Sequence, residues 1–254
     1  MSARWWLPLL VLLIAAPLWL HWWEPRLFLA INQACASVPA VAWAALSLGG
    51  NAWGVLALTS PLLVFAPQLM WAWLCAVPVG VVFARIGKEW LFSPRPAGLI
   101  EHAQIRIVGE PMQFASMPSG HTLTAFAVAG SIYFAIDAQR RPRYAWLWLL
   151  AGLVGLSRMV LGAHWPGDVV VGACLGMWAA AIGHLLWVRL GPDYFNPRGW
   201  RLRAVAALLA LTLYQMLDSP LDYEESRQPQ YVLAWVLTLA LLRFAHQQRS
   251  RTAP

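Results

Sequence analysis

Residues 166–188 read PGDVVVGACLGMWAAAIGHLLWV, and this stretch decides the fold. Its one formally charged residue, Asp168, stands near its beginning. The rest is apolar for the length a helix needs to cross a bilayer, about 20 residues. Lipid demands that backbone groups be satisfied within the segment, so the run reads as a helix.

Similar runs recur outward from it. Upstream lie Tyr144–Leu161, Ser119–Ile136, Leu69–Trp90, Asn51–Phe65 and Trp5–Trp23. No small-x-small cleavage site follows the first promptly, so it is expected as a retained helix rather than a signal peptide. Residues 24–48, with Glu24, Arg26, Asn32 and Gln33, read as an interfacial segment, and 93–118 as a polar, Pro-rich loop. Downstream, Ala204–Leu217 and Tyr231–Ala245 are short for full spans and flank an acidic loop carrying Asp218, Asp222, Glu224 and Glu225.

Composition agrees with a polytopic membrane protein. Of 254 residues, 60% are hydrophobic and 11% charged, with a mean hydropathy of +0.57 and 17 Trp; ordinary soluble domains carry roughly 25% charged residues. The net charge of +7 is almost all Arg, in short clusters between apolar runs, with Lys88 the one Lys. That is the positive-inside pattern rather than a basic face, so no nucleic-acid partner is expected. Cys35, Cys75 and Cys174 form no CxxC or Cys/His cluster, which disfavours a disulfide framework or zinc site. With the N-terminus in the cytoplasm, 11 of the 18 basic residues fall on cytoplasmic segments. The expected localisation is therefore multi-pass, with both termini cytoplasmic. The loops 93–118, 162–166 and 218–225 fall outside.

Seven basic residues break this rule: Arg26, Arg85, Lys88, Arg95, Arg106, Arg158 and Arg227. Snorkelling to the headgroups accounts for isolated charges such as Arg85 or Arg106 as readily as function does. Lys88, Arg95 and Arg158 differ by their neighbours. Three outward segments read as one site: Lys88 to Pro96, Pro118-Ser119-Gly120-His121, and Ser157-Arg158 through His164 to Asp168.

These residues suit phosphoryl transfer. Two Args fork onto phosphate oxygens and Lys adds a point charge. Ser119 opens a helix as its N-cap, and amides at a helix N-terminus receive anions, with Gly120 leaving the approach open. Such donors stabilise charge on the equatorial oxygens in the transition state. Asp168, four residues after His164, suits acceptance of the Nδ1 proton, which frees Nε2 as a nucleophile. His121 suits protonation of the leaving oxygen and then activation of water. Taken singly, each histidine reads as a hydrogen-bonded structural residue, and Asp168 as a charge at a helix start. His21, His102, His184 and His246 are assigned that structural reading. Ser157 is placed behind the site, and Gly172-x-x-x-Gly176 is read as a close helix contact.

The three segments resemble the type-2 phosphatidic acid phosphatase superfamily, whose pattern is Lys-x6-Arg-Pro, Pro-Ser-Gly-His and Ser-Arg-x5-His-x3-Asp. Every fixed position is matched, by Lys88, Arg95, Pro96, Pro118, Ser119, Gly120, His121, Ser157, Arg158, His164 and Asp168. The likeness covers the third to sixth runs; residues 1–70 and 190–254 lie outside it. It implies an all-α, polytopic membrane helical bundle with a six-helix phosphatase core at 1–190. Residues 191–254, a C-terminal pair of apolar helices with a basic tail, depart from the common core and have no role in this reading.

The resemblance further implies cofactor-free, metal-independent hydrolysis through a phosphohistidine. His164 is the implied nucleophile, His121 the acid and base, and Asp168 the partner. Lys88, Arg95, Ser119, Gly120 and Arg158 would bind phosphate. The sequence also lacks the carboxylate cluster a Mg²⁺ site needs. The expected partners are the bilayer and a membrane lipid phosphate or diphosphate, with undecaprenyl diphosphate favoured on family grounds; oligomeric state is left open. Arg over Lys points to a GC-rich bacterial genome and hence an inner membrane with the site facing the periplasm. A phosphotransferase passing phosphate to lipid A or another acceptor is the alternative. A vanadate-bound haloperoxidase, which would be soluble, and a transporter or degenerate scaffold stand behind it.

Overall fold

The computed structural model describes residues 3–20 and 25–250. His21, the end of the first expected span at Trp23, and Arg251 of the tail lie outside the described residues. No strand occurs among the described residues. In chain order the helices are α1 (Ala3–Ile14), α2 (Ala16–Leu20), α3 (Pro25–Ala34), α4 (Ala40–Leu48), α5 (Ala52–Thr59), α6 (Leu62–Phe65) and α7 (Pro67–Leu74). There follow α8 (Val77–Leu91), α9 (Pro96–Leu99), α10 (Gly120–Ala135), α11 (Trp146–Val160), α12 (Pro166–Trp187), α13 (Trp200–Asp218) and α14 (Arg227–Ser250).

Among the described residues, two stretches are long and apolar enough to cross a membrane: Pro67–Leu99 and α12. The bent pair α4 and α5, which meet at 75°, makes a third if it is counted as one span. The expected runs are thus more broken than their hydropathy implied. The first divides into α1 and α2. Asn51–Phe65 divides into α5 and α6 at Ser60-Pro61, where proline supplies no N–H to the helix. The segment expected to lie at the interface contains α3 and α4. The helices α10 and α11, of 16 and 15 residues, rise only about 24 and 22 Å at ~1.5 Å per residue. The two C-terminal helices run the other way. At 19 and 24 residues they outlast their apolar runs, because polar turns bearing Arg201, Arg203, Arg227 and Arg249 continue them.

Helix α10 lies along α12 over most of its length. A Cβ on Gly172 would stand 2.7 Å from the Ser119 carbonyl oxygen, and one on Gly176 would collide with that of Leu123. The two backbones therefore touch directly, as the Gly-x-x-x-Gly spacing predicts. The C-terminal pair is not an appendage. Leu202, Leu209 and Met216 of α13 and Leu237 and Phe244 of α14 share one apolar core with Val55, Leu63, Met70 and Trp73.

Candidate active site

One end of the bundle collects the C-terminal ends of α8 and α11, the starts of α10 and α12, and the α13–α14 turn. A cavity of about 420 Å³ lies there, and Lys88, Arg95, Gly120, His121, Arg158 and His164 line it. Residues far apart in sequence thus meet as the motif reading expected. Asp222 and Tyr223, from the acidic loop, line it too.

His164 stands in the turn between α11 and α12. Its Nδ1 is 3.3 Å from Asp168 Oδ2, a long hydrogen bond. The same oxygen accepts from the Trp165 N–H at 2.8 Å and from the Ser116 hydroxyl. Asp168 is fully buried, so it holds the histidine from behind rather than facing the cavity. Burial first, then the positive charges of Arg95 and Arg158, hold the His164 pKa well below its ordinary value. The imidazole is therefore neutral at pH 7, the form a nucleophile needs.

The cations are set by carbonyls and rings. Arg95 donates from Nε to the Phe114 carbonyl (3.0 Å), from Nη1 to that of Ala163 (3.1 Å) and from Nη2 to that of Ala115 (3.4 Å). Ala115 holds the left-handed φ of +58° that turns its carbonyl there. Arg158 donates to the Ser47 hydroxyl and lies over the Tyr223 ring, 5.4 Å from its centroid.

Ser119 is the N-cap that its place at the start of α10 predicted. It is fully buried and lies outside the cavity lining. Its hydroxyl is the N-cap of α10, accepting from the Thr122 N–H and hydroxyl, and its own N–H donates to the Asp168 carbonyl. Ser119 therefore shapes the helix start, and Gly120, with nothing near a would-be Cβ, leaves it open. Ser157 is buried and bonds the Val154 carbonyl, behind the site. Arg106 is spent on carbonyls of Cys35, Ala36 and Val38. His102 binds the Ala97 carbonyl, as a structural histidine does.

Sequence reasoning missed Ser47, Asn51, Ser116, Asp222 and Tyr223. His121 Nε2 is 2.9 Å from Asp222 Oδ2, and Asn51 Nδ2 donates to Asp222 Oδ1 at 3.0 Å. Burial pushes the Asp222 carboxyl up, but the hydrogen bond and charge of His121, with Arg158 and Asn51, hold it below the usual carboxylate value. One signal was present: the acidic loop and the three motif segments had been assigned to the same face.

Residues 69–191 match the PAP2 superfamily. The chain is 34% identical over 91 residues to a lipid A 1-phosphatase of Rhizobium johnstonii, covering 35% of each chain. It is 29% identical over 104 residues to an undecaprenyl-diphosphatase of Sulfolobus acidocaldarius, covering 39% of this chain and 46% of the relative. The chain thus spans well under two thirds of these curated relatives. The crystal structure of Aquifex aeolicus LpxE is similar with a TM-score of 0.55 and 28% identity, over 62% of this chain and 92% of that one.

Proposed function

We propose that this chain, whose residues 69–191 form a PAP2 superfamily domain, is an integral membrane lipid phosphate or diphosphate phosphatase working through a phosphohistidine. One observation carries the reading: a single cavity is lined by three cations and two histidines drawn from three separate segments. His164 Nε2 attacks phosphorus while Asp168 holds Nδ1. Lys88, Arg95, Arg158 and the amides at the start of α10 take up the charge that grows on the phosphoryl oxygens. His121 gives a proton to the leaving oxygen, then takes one from the water that releases phosphate.

The substrate is proposed to be a lipid. An apolar groove of about 300 Å³ adjoins the cavity at Gly120, which lines both, and runs between α8 and α10 past Val77, Val81 and Leu123. A headgroup in the cavity leaves its tail there. Relatives are named for lipid A, undecaprenyl diphosphate and phosphatidylglycerophosphate. Undecaprenyl diphosphate or a glycerophospholipid phosphate is the substrate proposed here, with the site on the periplasmic face of the inner membrane and both termini cytoplasmic.

Phosphate release from undecaprenyl diphosphate, by wild type and His164→Ala in detergent with excess EDTA, tests this. Release by wild type alone is expected. Equal release by the variant removes His164 as nucleophile; loss of donor phosphate with no free phosphate, once an acceptor lipid is added, points to transfer instead.

A further inference from the structure

The acidic loop between α13 and α14 lies outside the matched domain, yet it is built into the cavity. Gln230 is fully buried and pins the loop: its Oε1 accepts the Leu221 N–H at 3.0 Å, and its Nε2 donates to the Met216 and Ser219 carbonyls. Tyr223 is buried against Trp43, Ala44, Val160 and Leu161. The Asp222 carboxylate is thereby held with one oxygen on Asn51 and the other on His121. Gly50, beside Asn51, fixes the other side of His121: a Cβ there would stand 2.6 Å from the His121 carbonyl oxygen.

We infer that Asp222 is the positioning residue of the acid–base histidine, so that the C-terminal helix pair completes the catalytic site. This rests on the phosphatase reading above. With Nε2–H held by Asp222, Nδ1 is the nitrogen that serves the substrate. In the first step the bond from phosphorus to His164 Nε2 forms, the bond from phosphorus to the leaving oxygen breaks, and that oxygen takes the Nδ1 proton. His121 is then neutral, its remaining proton on Nε2. In the second step water oxygen bonds phosphorus, its proton returns to Nδ1, and the phosphorus–nitrogen bond breaks. The two histidines thus use opposite nitrogens, each freed by a carboxylate on the other.

The charged groups around His121 are Lys88 of α8, Arg95 of the following loop, Arg158 of α11, His164 and the loop's Asp222, with Glu110 and Tyr223 also on the cavity wall. The cations oppose an imidazolium, and Asp222 is the carboxylate in contact with it. Replacing it removes the contact that favours protonated His121 against the cations.

The test is Asp222→Asn, which keeps shape and removes charge, with Asp222→Glu as the conservative variant. For turnover of undecaprenyl diphosphate, Asp222→Asn is expected to lower kcat about tenfold to a hundredfold, within the ~10²–10⁴ that a general acid supplies. KM should change little, and the alkaline limb of the kcat/KM profile should move to lower pH. Asp222→Glu should recover part of both. Wild-type kcat and an unmoved limb would overturn the inference, provided His164→Ala is inactive in the same assay. A second readout does not need activity: in ¹⁵N-histidine-labelled protein in detergent, the His121 ring signals should titrate at lower pH in Asp222→Asn than in wild type. Coincident titrations would overturn the inference even if no tested lipid were turned over.

Discussion

Two histidines line one cavity, each backed by a carboxylate, and the two pairs are made in opposite ways. His164 and Asp168 are four residues apart across the start of one helix, and both are almost wholly buried, at 3% and 0% exposure. His121 and Asp222 are 101 residues apart and retain 20% and 17%. The first pair is a local consequence of a helix start: Pro166 begins α12, and Asp168 caps it by accepting the Trp165 N–H. The second exists only if α13 and α14 pack on α5 and α6. The geometry of the proposed nucleophile is thus carried by a few consecutive residues, while that of the proposed acid and base depends on tertiary packing.

Asp168→Asn should give the largest effect. Its Oδ2 accepts from three donors and its Oδ1 is buried without a partner, so an amide keeps those bonds only by burying an unpartnered NH₂, and it removes the charge that steadies the His164 imidazole. Turnover should fall about 10³–10⁴-fold, comparable to the loss of an orienting carboxylate in a hydrolase triad. If Asp168→Asn costs less than Asp222→Asn, the ranking of the two pairs is reversed. Arg158→Lys should cost about tenfold to a hundredfold in kcat/KM, because a point charge replaces neither the fork on phosphate nor the contact with Tyr223. Near-wild-type kinetics would remove Arg158 from phosphate binding.

The pH profile separates the pairs again. His164 has a depressed pKa, so it stays neutral below the usual histidine range, and the acid limb of kcat/KM should lie below about pH 6.5. A limb above that value would mean that another group limits the reaction. The same depression has a stability sign. Near pH 6.5 the unfolded chain takes up a proton that the folded histidine refuses, so the contribution of His164 to stability falls as pH drops further, while Asp168, whose carboxyl burial raises to about 7, contributes in the opposite sense over the same range. Smallest of all should be Gln230→Leu. It leaves the Leu221 N–H and two carbonyls without their buried partner, costing about 1–3 kcal/mol in detergent unfolding assays. It should also lower kcat in the direction of Asp222→Asn without moving the acid limb. An unchanged kcat would show that the loop stays in place without this anchor.

What could be read in the sequence follows the same division. Helical class, the apolar α12, the Gly172–Gly176 contact and the local spacing around His164 are properties of neighbouring residues, and hydropathy, cap chemistry and spacing report them. The gathering of Lys88, Arg95, Gly120, His121, Arg158 and His164 was legible because each stands at a helix end, and alternating helices put those ends on one face. The 75° bend between α4 and α5 was not, because apolar residues continue on both sides of Gly49-Gly50-Asn51. What turns the chain is the Asn51 side chain capping α5 through the Trp53 and Gly54 N–H groups, together with the closeness of Gly50 to His121. Ser119 was legible in part: its place at a helix start predicted the N-cap that its hydroxyl forms on α10. Asp222 carried no periodicity or motif, and only packing across the bundle gives it a partner.

The anchoring of the acidic loop by Gln230 sets an order in time. Synthesis proceeds from the N-terminus, so both members of the His164–Asp168 pair leave the ribosome before Asp222 does. The proposed proton carrier is assembled last, when the final helix turns back and Gln230 closes the loop.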